Sequence, residues 1–233
     1  MLNPRVSVHD GVLVVRDDMY PGGTKARFIP EHIAGCSECG YATPAEGGAQ
    51  TAIAHVARAM GKRATLFVAA RSSPHSRTLR ASRDGARIVL VRPGYLSCVR
   101  SRARSYCAVS GALLLPFGLD VPCAGRVIAD EARLIDYDPD EVWCAGGSGV
   151  LVRALSKAWP LARKHVVQVG KSLAAKDVAG AAVHVHPLAY SQRARYSPPF
   201  PSDPHYDAKA WEMCVRYRDP SRKVLFWNVT GPA

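Results

Sequence analysis

The chain has 233 residues, of which 48% are hydrophobic and 21% charged, a balance typical of a soluble globular protein with a sizeable core. Lys and Arg total 31 against 19 Asp and Glu, and the resulting net charge of +12 suits either a polyanionic partner or a basic enzyme without one. Residues 1–10 lack the basic start and apolar run of a signal peptide, and no apolar stretch is long enough to span a bilayer. We therefore expect a cytoplasmic protein without a membrane segment.

A glycine and lysine loop occupies residues 21–27, near the start of the chain. Lys25 follows two glycines and a threonine and opens a helical run over 26–34. Glycine permits a tight backbone path, and a lysine amine held out of water can lose its proton and form a Schiff base. The alternative is an ordinary turn with a solvated lysine.

The remaining predicted elements alternate between strand and helix, which predicts an α/β protein. Strands are predicted at 12–15, 64–70, 87–91, 112–115, 141–145, 165–169, 181–186 and 224–228. Helices are predicted at 51–60, 121–134, 150–159 and 207–217.

Residues 71–107 are rich in arginine and poor in large apolar side chains, with one visible strand. This composition predicts a phosphate-contacting patch, whose nucleic-acid-binding candidates are Arg92, Arg100, Arg102 and Arg104. The alternative is the solvated surface of a small lobe.

A second glycine loop, Gly146-Gly147-Ser148-Gly149, lies directly between an apolar strand and a helix. Backbone N–H groups and a helix N-terminus in this arrangement bind phosphate. The loop lacks the Lys-Ser/Thr ending of a P-loop and the Gly-x-Gly-x-x-Gly spacing, which argues against nucleoside triphosphates and dinucleotides.

The cysteines and histidines do not predict a metal site. Cys36 and Cys39 form one Cys-x-x-Cys, but the other five cysteines supply no second pair with zinc-site spacing. His184 and His186 share one face of a predicted strand without a third ligand, so we interpret them as structural. We expect reduced thiols.

Four segments, in chain order, resemble one enzyme family. Gly22–Arg27 resembles its Gly-Gly-Asn-Lys-x-Arg, and Leu114–Gly118 resembles its strand–Pro–x–Gly segment. Tyr206–Ala210 resembles its Tyr-x-x-Lys-Ala, and Leu225–Gly231 resembles its closing apolar strand with His-Thr-Gly-Gly. The family is the fold-type-II pyridoxal-phosphate (PLP) enzymes, the tryptophan synthase β-like superfamily. The nearest branch is 1-aminocyclopropane-1-carboxylate deaminase and D-cysteine desulfhydrase.

The resemblance implies two open twisted α/β lobes with the cofactor cleft between them, the small lobe being reduced. The large PLP-binding lobe would comprise 1–42 and 108–233, and the small arginine-rich lobe 43–107. Lys25 would bind the cofactor as a Schiff base and then move protons at Cα of the substrate. Gly146, Gly147, Ser148 and Gly149 would hold its phosphate, and Thr230 would hydrogen-bond the pyridine nitrogen. The family tends to form homodimers.

The chain departs from the family in the loop that grips the substrate carboxylate. Residues 45–51 contain no asparagine here, and Glu46 is anionic, so an unpaired Glu46 would repel a carboxylate. Gln50 and Thr51 can still donate hydrogen bonds and are the substrate-binding candidates. Lys25, Tyr206 and Glu46 are the catalytic candidates, with Tyr206 near the cofactor face as an acid, a base or a positioning group.

Three functions follow from the resemblance and the charge. The first is a PLP-dependent lyase acting through an external aldimine at Cα of an amino acid attached to a modified thymine base in DNA. It would decarboxylate that amino acid or catalyse an elimination, as in bacteriophage DNA modification, and would then act in the host cytoplasm. The second is a deaminase or desulfhydrase type of lyase on a free small amino acid. The third is a non-catalytic binding protein that keeps the fold.

Overall fold

The structure is a computed structural model that describes residues 3–170 and 172–232. The chain forms two compact units. We call residues 3–27 with 124–232 the terminal unit, and residues 28–123 the middle unit.

The strands are β1 (Val6–His9), β2 (Val12–Arg16), β3 (Glu38–Thr43), β4 (Arg63–Ala69), β5 (Arg87–Val91), β6 (Leu113–Leu114), β7 (Glu141–Gly146), β8 (Arg163–Gln168), β9 (Ala182–Val185) and β10 (Val224–Asn228). The helices are α1 (Lys25–Ile33), α2 (Ala49–Ala59), α3 (Ser76–Arg83), α4 (Leu96–Ser110), α5 (Ala124–Ala132), α6 (Val150–Ala158), α7 (Ala175–Val178) and α8 (Asp207–Tyr217). A short 3-10 helix, Asp17–Met19, follows β2.

The terminal unit is built on a sheet in the order β1-β2-β10-β7-β8-β9, in which only the β1–β2 pair is antiparallel. Trp143 and Phe226 are opposite each other on β7 and β10 and pack in one apolar cluster with Trp211 of α8. The alternate residues Cys144 and Trp227 are also buried. Both faces of the central strands are therefore covered, as a parallel sheet requires.

The middle unit is built on an all-parallel sheet in the order β5-β4-β3-β6. Helix α4 packs on it through Val99, Ala103 and Cys107, which recur every four residues and are buried. A Cβ atom at Gly40 of β3 would lie 2.4 Å from the Cys107 sulfur, so a glycine is what lets this helix approach the sheet closely.

The predicted α/β class matches the structure, but residues 71–107 contain more than the one strand that the sequence predicts. Helices α3 and α4 also lie there, and their arginine-rich composition conceals a narrow buried stripe of small side chains. The predicted strand at 112–115 shortens to β6, and the predicted helix at 121–134 shortens to α5. The compact units divide at 27/28 and 123/124. The lobe boundaries at 42/43 and 107/108 stay a prediction.

Candidate active site

Three adjacent parallel strands of the terminal unit end at the same edge of the sheet. Strand β10 lies between β2 and β7 and pairs with both in parallel register. The segment that leads to Lys25 follows β2, Val229–Thr230 follows β10, and the glycine loop begins at Gly146, the last residue of β7. Ligands of open parallel sheets bind outside the carboxyl ends of the strands. The lysine loop and the glycine loop, separated in sequence by residues 28–145, therefore lie at one edge.

Backbone contacts hold the lysine loop against the end of β10. The Thr24 N–H donates to the Val229 carbonyl at 3.0 Å. Gly23 has φ +62°, and a Cβ atom there would lie 2.1 Å from the same carbonyl oxygen. Only glycine permits this approach, which places Gly23 against Val229 and Thr230 two residues before Lys25, the first residue of α1.

A buried ionic cluster anchors the same helix start. Arg27 donates from Nε to Asp17 Oδ2 at 2.9 Å, and its terminal nitrogens pair with Asp17 and Glu131. All three side chains are fully excluded from solvent. Burial alone would lower the pKa of Arg27, but its hydrogen bonds and charge attraction to the two carboxylates raise that pKa above its ordinary value. Trp227 Nε1 also donates to Asp17 Oδ2 at 2.9 Å, which ties the cluster to β10.

The glycine loop has glycines where other residues would collide. Gly149 has φ +78° and precedes α6, and a Cβ atom there would lie 2.0 Å from the Asp177 carbonyl oxygen. A Cβ atom at Gly146 would lie 2.3 Å from a methyl group of Val166. Gly147 and Ser148 between them are partly exposed. The backbone N–H groups that open α6 therefore border an accessible loop suited to an anion.

Tyr206 lies against this loop. Its hydroxyl would be 3.3 Å from a Cβ atom placed on Gly147. Burial raises the pKa of Tyr206 well above 10.0, and the neighbouring Asp207 acts in the same direction. The phenol therefore stays protonated at neutral pH and can donate a hydrogen bond.

The next residue, Asp207, is a fully buried carboxyl group with one oxygen unused. Its Oδ2 accepts from the Thr230 N–H at 3.2 Å, whereas Oδ1 has no hydrogen-bond partner among the described residues. Burial and the nearby Asp203 raise the pKa of Asp207 well above 3.8. The backbone N–H groups of Val229 and Thr230 and the charge of Lys25 act in the opposite direction and lower that pKa, but they do not outweigh burial. A buried polar atom without a partner requires an explanation, and a bound group is one of the ordinary ones.

Asp207 is the site residue that the sequence interpretation missed. In the Tyr-x-x-Lys-Ala segment it occupies an unspecified position, and an acid in the first turn of a helix is commonly a dipole-stabilising surface group. Its position in the sequence could have indicated burial, because Asp207 directly follows Tyr206 and the next four residues of α8 are all buried. Lys209, two residues on, donates to the Ala189 carbonyl at 2.7 Å and so supports a loop.

The predicted substrate loop lies in the middle unit, before and at the start of α2. Glu46 pairs with Arg71 at 2.9 Å, so its charge is compensated. Gln50 is fully buried and donates to the carbonyls of Ala45 and Gly47 at 2.8 and 3.0 Å. Thr51 donates to the Gly48 carbonyl at 3.0 Å. These contacts shape the loop itself; the roles of Glu46 in catalysis and of Gln50 and Thr51 in substrate binding stay predictions.

The structure brings together two of the four predicted nucleic-acid-binding arginines. Arg100 and Arg104, one turn apart on α4, line a cavity of about 310 Å³ with Phe117, and the Arg100 guanidinium lies 4.4 Å from the centre of the Phe117 ring. Arg102 lies on another face of the helix, and Arg92 follows β5.

Within residues 3–170 and 172–232, no group of three metal-ligating side chains could hold an ion. His184 instead lies 3.0 Å from His165, and His186 pairs with Glu212 at 3.0 Å. None of the helices in the described part of the chain is long and apolar enough to cross a membrane.

Comparison with known proteins identifies the fold. No protein-family profile matches the sequence, and no curated protein sequence is detectably similar to it. The structure is similar to a 1-aminocyclopropane-1-carboxylate (ACC) deaminase homologue, with a TM-score of 0.83 and 16% identity over 99% of this chain and 90% of that one. It is also similar to an L-serine ammonia-lyase from Rhizomucor miehei, with a TM-score of 0.76 and 12% identity over 100% of this chain and 94% of that one. A PLP-dependent aspartate racemase has a TM-score of 0.73 and 11% identity over 99% of this chain and 90% of that one. The predicted fold of the fold-type-II PLP enzymes is confirmed.

Proposed function

We propose that the chain is a PLP-dependent lyase that acts at Cα of an amino acid. The observation that carries the proposal is the unpartnered Asp207 oxygen, buried at the same sheet edge as Lys25 and the glycine loop. The structurally similar proteins include a deaminase homologue, an ammonia-lyase and a racemase, which supports amino-acid chemistry on this fold.

The residues present fit the cofactor. The loop 146–149 and the start of α6 would hold its phosphate, and Lys25 would bind its aldehyde carbon covalently. The Asp207 carboxyl would take the pyridine nitrogen, with Thr230 beside it as a second polar contact. When bound, PLP supplies an electron sink for the pair of electrons left at Cα.

The protein's own groups would handle the protons. The Lys25 amine would take or return the proton at Cα, because it is anchored through the loop 22–24 and the Arg27 cluster. Tyr206 would donate a hydrogen bond from its protonated hydroxyl. Asp207 would hold a proton at the ring nitrogen, since its raised pKa lets it share one at neutral pH. This would make a stronger electron sink than the Thr230 hydroxyl alone.

The first test is a titration with PLP followed by absorption in the visible range. Borohydride reduction and peptide mass spectrometry should then place the cofactor on Lys25. Lys25→Ala should lose the reducible adduct, whereas Lys176→Ala, an exposed lysine of the terminal unit, should keep it. An adduct on another lysine, or none in the wild type, would contradict the proposal.

A free small amino acid is the substrate class that the carboxylate loop favours. Glu46 is paired with Arg71, so a substrate carboxylate at this loop would not meet an isolated anion. Purified enzyme should therefore release ammonia from 1-aminocyclopropane-1-carboxylate or sulfide from D-cysteine. Full PLP loading on Lys25 without turnover of any tested amino acid would favour the non-catalytic alternative.

The second candidate is an amino acid attached to a modified thymine in DNA, in a bacteriophage-type modification. The arginine-lined cavity at Arg100 and Arg104 supports it, together with the +12 charge. Mass spectrometry of nucleosides from DNA that carries the aminoacylated base would show loss of carbon dioxide or of a leaving group. Unchanged nucleosides from a PLP-loaded enzyme that is active on free amino acids would exclude it. Assembly as a homodimer also stays a prediction, which sedimentation would test.

A further inference from the structure

A second cavity lies in the terminal unit and shares no residue with the candidate active site. Its volume is about 680 Å³, within the range of pockets that bury small organic ligands. Helix α8 forms one wall with Met213, Val215 and Tyr217, and the loop 195–199 and the end of β9 form the others.

A partly buried carboxylate, Glu212, holds these walls together. Glu212 Oε2 lies 3.0 Å from His186 Nε2, and Oε1 accepts from the Tyr196 N–H at 2.6 Å. His186 Nδ1 accepts from the Leu188 N–H at 3.2 Å, so the His186 proton lies on Nε2 and is donated to Glu212. Because one side chain ties the loop, the helix and the residue after β9 together, the cavity is formed before any ligand arrives.

The rim combines cations with exposed aromatic rings. Arg195 and Arg216 are exposed and take part in no ion pair with any described residue. Tyr196 is 74% exposed and Tyr217 is 51% exposed, and the Arg216 guanidinium lies 5.2 Å from the centre of the Tyr217 ring. Asp10 and Glu212 also line the cavity, and the Glu212 carboxylate is engaged by His186 and by the Tyr196 N–H.

We propose that this cavity binds a nucleotide. Every base presents a π-face on which a tyrosine can stack, and a guanidinium recognises phosphate through paired hydrogen bonds. Tyr196 and Tyr217 would contact the base, and Arg195 and Arg216 would contact the phosphate. The apolar side chains between them would exclude water from the stack, and the positive charge of the protein would steer the anion toward it. The ligand is either a free nucleotide or one nucleotide of a single strand, which share this chemistry.

Binding is tested with two probes, thymidine 5′-monophosphate by calorimetry and a labelled oligothymidylate by fluorescence anisotropy. The double variant Arg195→Gln, Arg216→Gln should weaken both by roughly tenfold or more, because two phosphate contacts are lost. The control Arg58→Gln, Arg80→Gln removes the same charge from exposed sites of the middle unit and should change affinity by less than about threefold. Equal losses in the two double variants, or no binding to the wild type, would overturn the proposal.

Stacking is tested separately at Tyr196, where the exposed side chain can be changed without disturbing the Glu212 bond to its backbone N–H. Tyr196→Ala should weaken binding by about 5- to 100-fold, and Tyr196→Phe should restore it. If only the oligothymidylate binds tightly, the ligand is one nucleotide of a single strand. If thymidine 5′-monophosphate binds as tightly as the oligothymidylate, the ligand is a free nucleotide. Lys25→Ala should bind both probes as the wild type does, so this result is independent of the proposed PLP chemistry.

Discussion

Arginine has different surroundings in the two units. The middle unit has 12 Lys and Arg against 5 Asp and Glu, and the terminal unit has 19 against 14. In the terminal unit Arg27 is buried and fully engaged by two carboxylates. In the middle unit Arg100 stacks on Phe117 beside an open cavity, and Arg102 faces solvent.

Net charge and charge placement have different physical consequences. Buried charge in the terminal unit fixes the backbone from which Lys25 projects, and its removal should affect folding. Surface charge in the middle unit should affect association with anions and leave stability almost unchanged.

The largest expected effect is on stability, from Arg27→Met. The substitution leaves Asp17 and Glu131 buried without their cation, so the free energy of unfolding should fall by about 3–5 kcal/mol. The same change at Arg100 removes a cation–π contact and should cost about 1 kcal/mol or less. Urea unfolding of both variants measures the difference, and similar losses would show that Arg27 contributes no more to folding than Arg100 does.

Next is Asp207→Asn, which removes the carboxyl proposed for the pyridine nitrogen. We expect kcat to fall on the order of 100-fold, because an amide has no carboxyl proton to share with the ring nitrogen. If the variant still forms the PLP adduct on Lys25, the fall in kcat comes from the reaction step and not from loss of the cofactor. Wild-type kcat in a variant that binds PLP normally would assign the nitrogen contact to Thr230 instead.

The same substitution has a pH signature in the protein without cofactor. The folded-state pKa of Asp207 is raised, so its contribution to stability is present below about 3.8 and is lost as pH rises toward the folded-state value. Relative to Asp207→Asn, the wild type should therefore become less stable as pH rises from 4 to 8. Denaturant unfolding across that range measures it, and a constant difference would mean that Asp207 titrates alike in both states.

Sequence patterns located the elements that have large apolar faces. Strand β10 and helix α8 match their predicted ranges, because Trp227 and Trp211 belong to long regular apolar patterns. Helix α4 was missed, because only Val99, Ala103 and Cys107 face the sheet among many arginines. The lysine and glycine loops were recognised as motifs. The absence of a hydrogen-bond partner for Asp207 Oδ1 among the residues that the structure describes depends on the tertiary structure, so no local sequence pattern could have predicted it.

An intermediate effect is expected on DNA affinity from Arg100→Gln with Arg104→Gln. If both contact phosphates, the slope of log affinity against log salt should become less steep by roughly 2. The matched control is Arg126→Gln with Arg133→Gln, two exposed arginines on α5 and directly after it that pair with Asp130. Equal slopes for the two double variants would mean that the arginine-lined cavity does not contact DNA.

The smallest effect should come from Arg133→Gln alone. Arg133 pairs with Asp130 at 2.8 Å, but both side chains are about half exposed, at 50% and 43%. Water and salt screen such a pair, and holding two long side chains in one geometry costs entropy. The free energy of unfolding should therefore change by about 0.5 kcal/mol or less. A loss near that of Arg27→Met would show that exposure does not separate structural from surface arginines in this protein.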